Sequence, residues 1–302
     1  MINRRNFLVS AAATSLLCSA KPSWAVSSLN LGEFKVDIVS DGHLRLPASF
    51  IFSGMPEVEI AELMQRHGLS KEGLQPYCNL TLLRQGDRTI LFDVGSGPNF
   101  MDSAGKVVDA LSEIDVDPGD VTDVVFTHAH PDHIWGVLDD FDDPLFSEAT
   151  YHISEAEIDY WTDPNTVHTI GEARQAFAAG AARNLAAIED SLVRFKPEQE
   201  ILSGIFARAT PGHTPGHTSF EVRDRSESLL VVGDAIGNHH VAFEQPQWEA
   251  NSDQDKALGA KSRTSLIEQL AVEKTKLIGF HFPYPGIGFV EKSGSGYKWV
   301  AA

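Results

Sequence analysis

Apolar and polar positions alternate over residues 34–39 (FKVDIV), the period-two pattern of a strand with one buried face, and Asp41-Gly42 supplies a turn after it. Two more β-rich runs lie in NLTLLRQGDRTILFDVG (residues 79–95), joined at Gln85-Gly86-Asp87-Arg88 as in a hairpin. Strand patterns return at residues 121–127, 149–153, 205–209, 219–222 and 229–232, with a final strand at 276–280. Helical spacing takes over at 106–114, 154–161, 171–190 and 254–272, and Ser154 and Glu157 stand at capping-box spacing. Two similar strand-rich halves interleaved with helices predict an α+β chain of stacked layers, two sheets face to face with helices outside.

Residues 43–77 interrupt this rhythm. ASFIFSGMP carries Phe50, Ile51, Phe52 and Met55 outside any regular period, and VEIAELMQRHG then forms a short amphipathic piece ending at Gly68, as a helix C-cap would. The pattern fits a lid-like extension, a homodimer contact, or plain packing against the core.

The first 25 residues read as a separate element. NRRNFL (residues 3–8) leads into an apolar run to Cys18, and Ser23-Trp24-Ala25 makes a small-residue exit, the layout of a cleaved export signal. The run is too short for a stable membrane anchor, and Arg4-Arg5 followed by Phe7-Leu8 resembles a twin-arginine signal. The expected mature protein, residues 26–302, is then periplasmic or secreted, and export in the folded state suits a metalloprotein. Cleavage leaves Cys78 as the only thiol, so no internal disulfide is expected, and Cys78 reads as a small buried hydrophobe.

With 302 residues and 42% hydrophobic content the chain can bury a large core. Its formal charge moves from −18 to −21 once the cations Arg4, Arg5 and Lys21 leave with the signal. Such a surface repels nucleic-acid phosphates, and a small-molecule substrate is the expected partner.

Candidate chemistry is concentrated in THAHPDH (residues 127–133), where three histidines and an aspartate follow a β-branched apolar run. His128 and His130 can point one way while Asp132 and His133 turn to a neighbouring position, so one loop could serve two metals. Downstream, the tight turn in TPGHTPGH aims His213, Asp234 leaves a buried strand in VVGDAIG, and His281 closes another apolar strand in IGFHFPYPG. Imidazole with carboxylate suits zinc or a similar divalent ion.

This series of HxHxDH, PGH, GD and a late histidine resembles the metallo-β-lactamase superfamily across essentially the whole mature chain. The resemblance implies a four-layer αβ/βα sandwich and two metal ions. In that pattern His128, His130 and His213 hold one ion, Asp132, His133 and His281 the second, and Asp234 bridges them. The C-terminal HFPYPGIGFVEKSGSGYKWV and the early DIVSDG narrow it to the group of methyl parathion hydrolase and its lactonase relatives. There Phe100 and Trp161 fall where the group places aromatic walls of the substrate pocket, core packing being the alternative for both. His217, His239 and His240 receive no role, and His67, His152 and His168 read as surface or satisfied core residues.

Two divalent ions, most simply zinc, would acidify a shared water into a hydroxide nucleophile at neutral pH and polarise the substrate oxygen. The expected protein is an exported dinuclear hydrolase of a lactone or aryl ester, with phosphotriesters implied by resemblance alone. Asp234 as bridge and Asp132 as proton shuttle are its expected catalytic carboxylates. Among rivals, a β-lactamase fits the C-terminal segment less well, and a thioesterase would show basic residues for its thiol carrier. An iron-dependent redox protein of the same fold tends to carry a carboxylate where this chain has His130, and a non-catalytic binder would show ligand replacements.

Overall fold

A computed structural model describes residues 26–302; the expected export signal, with Cys18, lies outside the described residues. Two seven-stranded sheets carry the fold. The first runs, in spatial as in chain order, through β1 (Val26–Leu31), β2 (Phe34–His43), β3 (Tyr77–Gln85), β4 (Arg88–Phe92), β5 (Asp123–Val125), β6 (Thr150–Ser154) and β7 (Leu192–Phe195). It is antiparallel as far as β4 and parallel beyond. The second comprises β8 (Glu200–Leu202), β9 (Ile205–Ala209), β10 (Thr218–Asp224), β11 (Glu227–Val231), β12 (Lys276–Ile278), β13 (Ile287–Ser293) and β14 (Gly296–Ala301), with β11 and β12 parallel. The longer helices are α1 (Glu57–His67), α2 (Val107–Ser112), α3 (Glu155–Thr162), α4 (Gln175–Ala187) and α5 (Lys256–Glu273).

Period-two patterning explains the layers. Phe34, Val36 and Ile38 of β2 face inward and meet Phe220 and Val222 of β10 and Leu229 and Val231 of β11, with the Phe92 and Phe220 rings 5.4 Å apart. The other face of the first sheet buries Leu80, Leu82, Leu91 and Val124 under α2, α3 and α4. The second sheet does likewise with Leu230, Leu277 and Val290 under Leu266, Ile267 and Leu270 of α5. The result is a helix–sheet–sheet–helix sandwich.

Three local expectations change. The strand ending at Ile278 is not the last, because the β13–β14 hairpin follows it, with Glu291, Lys292 and Ser293 exposed and too polar to show a strand period. The helix expected over 171–190 is α4 with single 3₁₀ turns on either side. Ser154 caps α3 by accepting from the Glu157 N–H (3.2 Å), but the Glu157 carboxylate turns inward, so the capping box is half made.

Residues 43–77 form their own small cluster. A short strand pair, Leu46–Pro47 with Gly73–Leu74, and helix α1 enclose Ala48, Phe52, Ile60 and Leu63, which pack on Val241 of the body. Phe52 is therefore buried, while Phe50 stays 38% exposed. Gly68 ends α1 in the left-handed conformation a C-cap requires. Among the described residues no helix is long and apolar enough to cross a membrane.

Candidate metal centre and substrate cavity

Strand ends on one edge of the sandwich deliver the chemistry. β4 runs into Asp93, β5 into His128–His133, β11 into Asp234 and β12 into His281, while the loop between β9 and β10 brings His213. Parallel register, Phe92 opposite Val125 and Val231 opposite Ile278, sets these ends level.

His128 Nε2 lies 3.0 Å from His130 Nδ1, which lies 2.9 Å from His213 Nε2. Tetrahedral zinc with bonds of about 2.0 Å has ligand–ligand edges of about 3.3 Å, so this triangle needs only slight opening. A second set adjoins it. His133 Nε2 is 3.5 Å from Asp132 Oδ2 and from Asp234 Oδ1, and His281 Nε2 is 3.3 Å from Asp132 Oδ2. Asp234 Oδ2 stands 3.2 Å from both His213 and His281, so this carboxylate touches both sets. Asp132 Oδ2, His133 Nε2 and Asp234 Oδ1 are buried without a sound hydrogen bond. Unpaired buried carboxylate oxygens are costly, and a pair of divalent cations is the partner this donor set fits.

Outer groups aim the donors. Asp93, in the left-handed region at φ 60°, accepts from Thr127 N (2.8 Å), Thr127 Oγ1 (2.9 Å) and His133 Nδ1 (2.8 Å). His213 Nδ1 faces Asp253 at 3.2 Å, and Asp253 pairs with buried Arg263 at 3.1 Å. His217 is no ligand here: its Nε2 accepts the Asp234 N–H (2.9 Å) and its Nδ1 meets Thr210 Oγ1 (2.8 Å). Gly233 permits that approach, since a Cβ there would stand 2.8 Å from His217 Nε2. Glu157, fully buried, accepts from Ala129 N, Gly216 N, Thr214 Oγ1 and Trp161 Nε1, tying the His128–His133 loop to the His213 loop.

Electrostatics separate the sets. Burial and the neighbouring histidines hold His128 and His130 well below the usual imidazole range. Burial opposes charge on His133, yet Asp132, Asp93 and Asp234 outweigh it and raise that imidazole to about 10. The same contest raises His281 and lowers Asp132 and Asp234. An all-imidazole face thus meets a carboxylate-rich one.

Beside the donors lies a cavity of about 280 Å³. Leu46, Phe50, Ile51 and Met55 from the 43–77 segment form one wall, and Phe100 and Phe177 another. Trp161 corrects the sequence reading: it is 1% exposed, off the cavity, with its ring 5.7 Å from that of His130 and its N–H on Glu157. Phe177 takes the wall position instead, its ring 6.3 Å from that of Phe100. Nothing in the alanine-rich run around Phe177 marked it, because a helix shows which face is apolar and not what that face meets. Arg174 also lines the cavity, its Nη2 donating to Asn251 O and Ser252 O at 2.9 Å. Cys78, read as a plain hydrophobe, is buried with its sulfur beside Asp132 and His281.

The sequence profile of the Metallo-beta-lactamase superfamily matches residues 74–281, a span that includes every donor named above. The chain belongs to the metallo-β-lactamase superfamily. Among solved members of this fold it resembles AidC, described as a dizinc quorum-quenching lactonase in complex with a product, N-hexanoyl-L-homoserine. That likeness has a TM-score of 0.87 at 25% identity, covering 93% of this chain and 99% of AidC. The hydrolase AbOPH is similar at TM-score 0.86 and 25% identity, with the same coverage. The N-acyl homoserine lactonase AttM of Agrobacterium fabrum is 30% identical over 152 residues, 49% of this chain and 52% of AttM. The chain thus spans about half the length of that curated relative.

Proposed function

We propose that this protein is an exported dinuclear zinc lactonase whose substrate is a lactone with an apolar arm, of the N-acyl homoserine lactone kind. The observation that carries this reading is the placement of Asp234 between two donor sets that open onto an apolar, partly aromatic cavity. His128, His130 and His213 would hold one ion, and Asp132, His133 and His281 the other. Two such ions, when bound, supply an acidified water and a Lewis acid for the ester carbonyl.

The chain's own groups do the rest. Phe100 and Phe177 flank the ring, while Leu46, Phe50 and Met55 receive the arm and exclude water. That placement supports residues 43–77 as a lid over the cavity. Asp132, at the edge of the second donor set with an Oδ2 that makes no sound hydrogen bond, would carry a proton to the departing alkoxide as the acyl C–O bond breaks. Aryl esters and phosphotriesters fit the same aromatic wall as secondary substrates.

The test is metal content per chain together with turnover of N-hexanoyl homoserine lactone, dihydrocoumarin, an aryl ester and methyl parathion, before and after chelation. About two zinc ions and chelator-sensitive lactone turnover are expected, along with loss of residues 1–25 from the exported form by intact mass. A single iron without turnover would move the assignment to the redox branch of the fold.

A further inference from the structure

Strand β3 enters the site at its first residues. Asn79 N–H donates to Phe280 O (2.9 Å), the Asn79 side-chain amide donates to Gly279 O (3.2 Å) and Phe282 O (2.8 Å), and His281 Nδ1 donates to Tyr77 O (2.8 Å). These bonds lock residues 77–79 alongside 279–282, with Cys78 buried between them. Its sulfur, a carboxylate oxygen of Asp132 and a ring nitrogen of His281 lie within 4.8 Å of one another. Cys78 forms no disulfide.

A second observation points to a cation there. Asp132 is only 6% exposed, yet its Oδ2 makes no sound hydrogen bond and is directed at His281 Nε2, 3.3 Å away. His281 engages Nδ1 with Tyr77, which turns Nε2 toward the same space, where it also stands 3.2 Å from Asp234 Oδ2. A carboxylate oxygen without a sound hydrogen bond, the imidazole nitrogen it faces and a thiol therefore converge from three separate chain segments.

We propose that Cys78 is a ligand of the second metal ion, adding sulfur to Asp132 and His281. This rests on the dinuclear reading above. On binding, the S–H bond breaks, its proton leaves to solvent and the sulfur lone pair forms the metal bond, with no change of oxidation state. The two positions then differ in kind: the first is built of imidazoles, and the second carries a soft donor that favours zinc or cadmium over manganese or magnesium.

The experiment uses the full chain loaded with two equivalents of cobalt(II) and, separately, of zinc. A near-ultraviolet thiolate-to-cobalt charge-transfer band is expected to grow with the second equivalent. It should be absent in Cys78→Ser and Cys78→Ala and retained in Cys18→Ser. Zinc X-ray absorption should show one sulfur for two ions at about 2.3 Å, and this measurement on the unaltered chain decides the matter if the Cys78 variants do not fold. Two bound ions with only nitrogen and oxygen neighbours, or a sulfur signal that survives Cys78→Ser, overturns the Cys78 assignment while lactone turnover leaves the lactonase reading standing. Failure to bind a second ion overturns both.

Discussion

Asp234 leaves β11 through a glycine in the left-handed region, and its backbone N–H is held by His217 while its carboxylate reaches His213, His133 and His281. Replacing it with alanine removes the group shared by the two donor sets. Asp234→Ala is expected to lose bound metal and to depress lactone hydrolysis by more than about 100-fold, read by metal analysis and kcat/KM. His217→Ala should be milder, about 10–100-fold, because it disturbs only the aim of Asp234; equal losses would make His217 a ligand. At this scale Asp234 and His281 stood out in the sequence because each closes a buried strand with no local partner, His128–His133 because they cluster after one and His213 by its tight turn, and the family resemblance joined the seven into one set. Phe177, Arg174 and Cys78 gave no such signal, since an aromatic in a helix, a lone cation and a cysteine in a strand are ordinary until their neighbours are known.

Helix α3 shows how one element fixes two loops. Its first turn presents Glu157 to four donors: Ala129 of the His128 loop, Trp161 one turn further along the same helix, and Thr214 and Gly216 of the His213 loop. Gly216 comes so close that a Cβ would stand 2.2 Å from the Glu157 nitrogen. Glu157→Gln keeps the shape but turns one acceptor into a donor, leaving a buried N–H unpaired. A loss of about 1–3 kcal/mol in denaturant unfolding is expected, with about 10–100-fold weaker binding of the first metal equivalent. Unchanged metal affinity would reduce Glu157 to a structural brace. Residue spacing pointed to a capping box here, and half of it forms. The carboxylate takes four buried donors in place of the single Ser154 N–H, a choice only visible once the His128 and His213 loops are brought alongside.

For the molecule as a whole, the seam between the 43–77 segment and the body contains His240, 3% exposed, with its ring 5.9 Å from that of His67 and 6.4 Å from that of Phe52. Burial first, then His239 and His67, lowers its pKa from 6.5 to about 3. The unfolded chain therefore takes up this proton first, so the associated stability is whole above pH 6.5 and is lost as pH falls toward 3. At pH 5 the loss is about 2 kcal/mol. His240→Gln should flatten the pH dependence of unfolding between pH 6.5 and 4 by about one proton, and an unchanged slope would show that His240 titrates as it does in the unfolded chain. By itself the sequence determined the layered strand-and-helix plan, the family and the donor-bearing loops, because period-two burial and strand-terminal histidines and aspartates are local patterns. The tertiary structure alone decided the C-terminal hairpin, the exchange of Trp161 for Phe177 on the cavity wall, the inward turn of Glu157 and the place of Cys78. Each of these depends on contacts between segments far apart in the chain, and a side chain's environment there is set by packing that no local period records.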